Sequence, residues 1–308
     1  MEIALQFVLL ALGFVMLGKG ADWFVEGAAG IAMRFGIPQL VIGLTIVAMG
    51  TSAPEAAVSI AAAVKGNADI TIGNIVGSNI LNILVILGLA ASIVPIAVAR
   101  STVRIEIPFM IGVTALLFYQ GRDGSISLAD GGVLMVAFAA YMMYLYTMAM
   151  KSNVDSDLEE PGLPLGRCLL GAVGGLALII AGSNVTVGAA TSIATYAGLS
   201  ERFIGLTIVA LGTSLPELFT SVAAARRGNA DIAIGNIVGS NIFNILFVVG
   251  LSALIIDISF ASAFNFDTYV ALGAAVLLWL CVLRTQRLQR WAGALMLVCY
   301  AAYLGYIL

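Results

Sequence analysis

Long apolar stretches of about 20 residues, parted by short polar breaks, run along the whole chain. A helix needs roughly 20 apolar residues to cross the hydrocarbon of a bilayer. Ten stretches meet that length, at about 3–25, 38–64, 70–94, 103–120, 128–150, 165–190, 200–226, 232–256, 266–284 and 290–308. They predict an all-α integral membrane protein with ten transmembrane helices. The one clearly polar connector, Lys151 to Pro164, holds Asp155, Asp157, Glu159, Glu160, Pro161 and Pro164. Such a segment has too little apolar surface to pack and reads as a solvated linker. It divides the chain into 1–150, the linker 151–164, and 165–308, with five predicted helices on either side.

The two halves share a repeated pattern. Gly43-Leu-Thr-Ile-Val-Ala-Met-Gly-Thr-Ser-Ala-Pro-Glu55 returns as Gly205-Leu-Thr-Ile-Val-Ala-Leu-Gly-Thr-Ser-Leu-Pro-Glu217. Asn67-Ala-Asp69 returns as Asn229-Ala-Asp231, and Gly73-Asn-Ile-Val-Gly-Ser-Asn-Ile-Leu-Asn82 as Gly235-Asn-Ile-Val-Gly-Ser-Asn-Ile-Phe-Asn244. Every pair is offset by 162, and about three-quarters of the positions from Ile42 to Leu89 match their partners. Five spans per half is an odd number, so the second copy must enter the membrane from the opposite side. Two inverted five-helix repeats place a site near the midplane, between the copies.

Composition agrees with lipid as the solvent. The 308 residues are 61% apolar and 10% charged, with a mean hydropathy of +1.07. Soluble domains run at roughly 45–50% apolar and about 25% charged. The net charge of −3 and the scattered basic residues exclude nucleic acid as a partner. No obligate protein partner is indicated either. Met1 to Leu17 lacks a basic leader and a small-residue cleavage site, so it reads as the first membrane helix. With the N-terminus outside, inner loops hold Arg34, Arg100, Arg104, Lys151, Arg167, Arg226, Arg227, Arg284, Arg287 and Arg290. Outer loops then hold only Lys65, Arg122 and Arg202, which places both termini outside a plasma (inner) membrane. Cys168, Cys281 and Cys299 lie apart in apolar stretches and imply no disulfide.

The residues that carry chemistry are Glu55 and Glu217. A carboxylate deep in a span costs at least ~2.5 kcal/mol, and such residues are functional by default. No basic residue lies at comparable depth to pair with either. Pro54 and Pro216 remove a backbone donor, so the second and seventh helices must break near Gly50 and Gly212. The breaks are expected to free carbonyls near Ala48 and Ala210. Open backbone at membrane depth persists only where something satisfies it. Thr51, Ser52, Thr213 and Ser214 add hydroxyls. Ser78 with Asn82, and Ser240 with Asn244, lie one helical turn apart and share a face. The whole inventory is oxygen, which suits hard cations: Ca²⁺ takes about 6–8 oxygens, and two carboxylates neutralise it. The same hydroxyls and carbonyls suit Na⁺. Cys and His ligands are absent from the set, against Zn²⁺ or Cu⁺. Gly73, Gly77, Gly235 and Gly239 have the spacing of close helix packing. Asp22 and Glu26 read as wetted interface residues, and Trp23, Trp279, Trp291 and the Tyr141–Tyr146 group as interface belts. Asp69 and Asp231, each beside a loop Asn, read as belonging to turns or helix starts.

The duplicated Gly-Thr-Ser-x-Pro-Glu and Gly-Asn-x-x-Gly-Ser-Asn-x-x-Asn motifs closely resemble those of the Ca²⁺:cation antiporter superfamily, nearest its sodium/calcium exchanger branch. The resemblance implies that Glu55 and Glu217 bind Ca²⁺, helped by Thr51, Thr213 and the carbonyls of Ala48 and Ala210. It implies that Ser52, Ser214, Ser78, Ser240, Asn82 and Asn244 complete the Na⁺ sites. It also implies that the first and sixth helices move together across a static core. Some relatives carry Asp where Asn244 stands, and one such branch requires K⁺; Asn at both positions argues against that requirement here. Cation/proton members usually carry Gly-Asn-x-x-Glu instead, so Ca²⁺/H⁺ antiport is the alternative, with a passive channel behind it. No cofactor is implied. With no histidine and no lysine deep in a span, nothing activates a hydroxyl nucleophile, which excludes an enzyme.

Overall fold

The computed structural model describes residues 2–66, 69–152, 163–198 and 210–307. Among them, eight helices are long and apolar enough to cross a membrane: α1 (Ile3–Phe35), α4 (Ile70–Ile93), α5 (Thr102–Asp123), α6 (Leu128–Lys151), α7 (Leu165–Tyr196), α10 (Ala230–Ile255), α11 (Ala263–Leu283) and α12 (Arg290–Ile307). A ninth span is a bent pair, α2 (Gln39–Thr51) and α3 (Ala53–Val64), meeting at 51°. The seventh predicted helix lies partly outside the described residues. Its described part is α8 (Ala210–Thr213) and α9 (Leu215–Arg226). Most of the linker also lies outside them.

The breaks fall where the prolines put them. Ser52 and Ser214 leave helical geometry, with φ −81°, ψ 5° and φ −92°, ψ 5°, and a proline stands in the first turn of each following helix. Proline there is pre-set for a helix start and needs no partner for a missing N–H. Three other spans are interrupted by π-helical turns: Asn82–Leu87 in α4, Thr102–Glu106 in α5 and Asn244–Val249 in α10. Turns of this kind gather at functional sites.

Burial separates a centre from a rim. In α4 and α10, 78% and 83% of the best spanning window is buried, against 17% in α1, α6 and α12. Of the two central helices, α10 approaches α2 closely. A Cβ on Gly239 would fall 2.8 Å from the Ala48 Cβ, and one on Gly235 3.1 Å from the Gly43 Cα. The close-packing reading of these glycines therefore holds at Gly235 and Gly239. Gly205, the counterpart of Gly43, lies outside the described residues.

Outside the centre, α1 and α7 lie against each other along most of their length. Glycines at a seven-residue spacing make this possible. Gly13 meets Gly182, Gly20 meets Gly175, and a Cβ on Gly27 would fall 2.4 Å from the Ala172 nitrogen. Without apolar solvation to drive helices together in lipid, small residues allow backbone contact to do so. The first helix extends to Phe35, beyond its predicted end near residue 25. Its acidic pair is one reason: Asp22 and Glu26 are not merely wetted, because Arg227 at the end of α9 pairs with both at 3.2 Å.

Four two-residue strands tie the ends together. They are β1 (Ile96–Ala97), β2 (Ser125–Ile126), β3 (Ile258–Ser259) and β4 (Arg287–Leu288). The strand β1 pairs with β4 and β2 with β3, both antiparallel. Each pairing joins the first half to the second, and the two pairings map onto each other under the sequence offset.

Candidate functional site

Both glutamates stand in the first turn of a helix that begins immediately after a break, and both are 1% exposed. They are brought together across the two halves. Ser52 Oγ donates to Glu217 Oε1 at 2.8 Å, and Ser214 Oγ donates to Glu55 Oε1 at 3.1 Å. Thr213 faces Glu55 as Thr51 faces Glu217.

The central helices hold this arrangement in place. Asn74 Nδ2 donates to the Glu55 carbonyl at 3.2 Å and to Ser59 Oγ at 2.9 Å. Asn236 does the same for the Glu217 carbonyl, at 3.4 Å, and Ser221 Oγ, at 2.9 Å. Asn82 Nδ2 donates to Asn241 Oδ1 at 2.9 Å, and Asn244 Nδ2 to Asn79 Oδ1 at 3.1 Å. Ser240 Oγ reaches the Ala48 carbonyl at 3.3 Å, while Ser78 is buried one turn before Asn82.

Two expectations change. The Ala48 carbonyl is not freed by the break, since it accepts the Ser52 N–H at 3.0 Å. The carbonyl that the Pro216 ring leaves without its helical donor is that of Gly212, and Ser183 Oγ of α7 caps it at 2.7 Å. The position matching Ser183 in the first half is Ala21, which has no hydroxyl. Ala210 opens α8.

Several members of the site were not singled out from the sequence: Asn74, Asn236, Asn79, Asn241, Ser59, Ser221 and Ser183. The first four stand inside the duplicated motif, so the repeat itself carried the signal. Ser183 had none.

The chemistry follows from what is left unpaired. Glu55 Oε2, Glu217 Oε2, Asn82 Oδ1 and Asn244 Oδ1 are buried oxygens with no hydrogen-bond partner. They form two pairs related by the repeat. Buried polar atoms in native proteins are nearly always satisfied, so four related exceptions point to a ligand. All four are acceptors, which a bound cation would satisfy. Among the described residues the ion pairs are those of Arg227, so no protein cation neutralises the two carboxylates. Among the same residues no cluster of three or more Asp, Glu, His or Cys side chains is present.

Comparison with known proteins gives a consistent result. Residues 5–147 and 168–308 match the family model described as sodium/calcium exchanger protein. A putative antiporter, CaxA of Alkalimonas amylolytica, is 40% identical over 314 residues, covering 98% of each chain. The sodium/calcium exchanger MaX1 of Methanosarcina acetivorans is 33% identical, again over 98% of each chain. A solved structure of the sodium-calcium exchanger NCX_Mj, soaked without Na⁺ and Ca²⁺, superimposes with a TM-score of 0.87 at 33% identity. It covers 99% of this chain and 100% of that one.

Proposed function

The chain belongs to the sodium/calcium exchanger family and is a multi-pass membrane transporter, not an enzyme, and we propose that it exchanges Ca²⁺ for Na⁺ by alternating access at the Glu55–Glu217 centre. The observation that carries this reading is the set of four unpartnered buried oxygens, two of them carboxylate. Two negative charges balance one Ca²⁺, and the remaining hydroxyl, amide and carbonyl oxygens build the shell of about 6–8 that it takes. Thr51, Thr213, Ser52, Ser214, Ser78, Ser240 and the Ala210 carbonyl supply the other oxygens. The same neutral oxygens hold Na⁺ when Ca²⁺ has left. Competition for one ligand set explains obligatory exchange: the loaded centre reorients, and the bare, doubly charged one does not.

The architecture we assign is ten helices in two inverted repeats, 1–150 and 165–308, with the linker 151–164 on the cytoplasmic side of the inner membrane. Reciprocal bonds at an offset of 162, and strand pairings that cross between the halves, support it. The structure is shut on the Arg227 side, where α1 packs along α9 and Phe14 meets Phe219 at 6.1 Å. No comparable seam joins α7 to α3 among the described residues. By the charge rule the Arg227 side is the inside.

Vesicles loaded with Na⁺ and given radiolabelled Ca²⁺ outside test the reading. Uptake is expected to need internal Na⁺. Uptake that follows a pH gradient without Na⁺ overturns the Na⁺ coupling in favour of H⁺. Uptake that needs no counter-ion overturns antiport in favour of a channel.

A further inference from the structure

A second carboxylate is buried in the membrane, away from the exchange centre. Glu106 is 0% exposed and stands at the end of the π-helical turn that opens α5. Its Oε1 accepts a hydrogen bond from the Tyr144 hydroxyl of α6. Its Oε2 has no partner, and neither has the Thr102 hydroxyl one turn earlier nor the Tyr141 hydroxyl one turn before Tyr144. Thr102 is 0% exposed and Tyr141 4%, so this tyrosine belongs to the interior and not to an interface belt. The Tyr141 ring stacks on Tyr144, with centroids 6.5 Å apart, and on Phe109 at 5.2 Å, which fixes it beside the carboxylate.

The groups facing Glu106 are few. From α6 come Tyr141 and Tyr144, and from its own helix Thr102. The Trp279 indole of α11 is spent on the Val103 carbonyl at 2.9 Å. Arg104 is exposed, and among the described residues every ion pair belongs to Arg227. A lone buried carboxylate without a counter-charge takes up a cation. Four oxygens with a single charge fall short of the 6–8 that Ca²⁺ takes.

We propose that Glu106, with Thr102, Tyr141 and Tyr144, is a second cation site, one that holds a single proton at the α5–α6 seam. The proton bonds to Glu106 Oε2 and is donated to the oxygen of Tyr141, so an unpaired acceptor becomes a donor with a partner. Losing it leaves a bare carboxylate between two spans and loosens their contact. The seam is therefore a pH-sensitive element independent of the exchange centre, and it stands whether or not Na⁺ is the counter-ion.

Infrared difference spectra of the purified protein, neutral against alkaline, test this. A carboxylic-acid C=O band is expected in wild type, retained in Glu55→Gln and Glu217→Gln, and lost in Glu106→Gln. Tyr141→Phe removes one hydroxyl only and is expected to shift that band, which decides the matter should Glu106→Gln fail to fold. Thermal melting adds a second readout: wild type loses several degrees of Tm from neutral to alkaline pH, and Glu106→Gln does not. A band unchanged in Glu106→Gln, or unmoved in Tyr141→Phe, overturns the proposal. So does a Glu106 signal that answers to Na⁺ and not to pH, which would make the site one for an alkali ion.

Discussion

Asn79 and Asn241 each donate a side-chain amide hydrogen to the other's backbone carbonyl, both at 3.2 Å. The contact joins the two most buried helices, one from each half of the chain. It also orients the neighbouring amides. Asn79 Oδ1 accepts from Asn244 and Asn241 Oδ1 from Asn82, so each of those amides commits its nitrogen and keeps its oxygen free. Asn79 and Asn241 are therefore positioning residues for two proposed ligands.

Replacing either with alanine leaves a buried amide nitrogen unpaired and takes one bond from a backbone carbonyl, at about 1–3 kcal/mol. Asn79→Ala and Asn241→Ala are each expected to weaken Ca²⁺ binding by roughly ten-fold, with the protein folded, since ~1.4 kcal/mol is a factor of ten. Calorimetric titration of the purified variants checks this. Unchanged affinity would show that the orientation of the neighbouring amides carries no weight.

Removing one carboxyl charge has a larger effect. Glu55→Gln and Glu217→Gln keep size and hydrogen bonding but leave a single negative charge for a divalent ion. Each is expected to abolish Ca²⁺ flux while the variant elutes as a folded protein. Normal transport in either removes that residue from the site.

The two serines test the equivalence of the halves. Ser52→Ala frees Glu217 Oε1 and Ser214→Ala frees Glu55 Oε1, in each case a hydrogen bond to a charged group worth about 1.5–3 kcal/mol. Both variants are expected to lose about ten-fold or more in apparent Ca²⁺ affinity, by similar factors. A large loss in one alone would mean that the centre is not shared evenly between the halves.

Much of the fold and site was legible because the chain states its main feature twice. A lone Ser or Asn in a membrane helix is ambiguous; the same set repeated against two glutamates is not. The breaks were equally legible, since proline acts through the backbone and needs no tertiary context. What stayed hidden depends on partners in space. Glu106 belongs to no motif, and nothing in the sequence marks it until Tyr144 is found beside it. The first helix was cut short because Asp22 and Glu26 mark an interface when unpaired, and their partner lies some 200 residues away. The seven-residue glycine spacing in α1 means little until α7 is laid against it.

That glycine seam yields a further prediction. A methyl group at position 27 would collide with the backbone at Ala172, so Gly27→Ala must part α1 from α7. Overpacking of this kind costs typically about 1–3 kcal/mol. The variant is expected to melt below wild type and to transport slowly, if the two helices move as one body. A variant that melts lower yet transports at the wild-type rate would uncouple the seam from the transport cycle.

The Arg227 contacts differ between the two faces of the protein. At the sequence offset, the counterpart of Arg227 is Lys65, but those of Asp22 and Glu26 are Asn184 and Gly188. One face is thus latched by two ion pairs that the other cannot form. The pairs are partly exposed and border a cavity of about 550 Å³ lined by Gly18, Asp22, Phe219, Ala223 and Arg227. Exposed pairs contribute ~0.2–1 kcal/mol each, so two of them bias the equilibrium between faces by roughly two- to thirty-fold. Neutralising both acids, Asp22→Asn with Glu26→Gln, is expected to raise labelling of a cysteine at Ala223 by about that factor at low salt. Because salt screens exposed charges, raising ionic strength should move the wild-type latch the same way and leave the double variant unmoved. If neither the substitutions nor salt changes the labelling rate, apolar packing between α1 and α9 alone keeps this face closed.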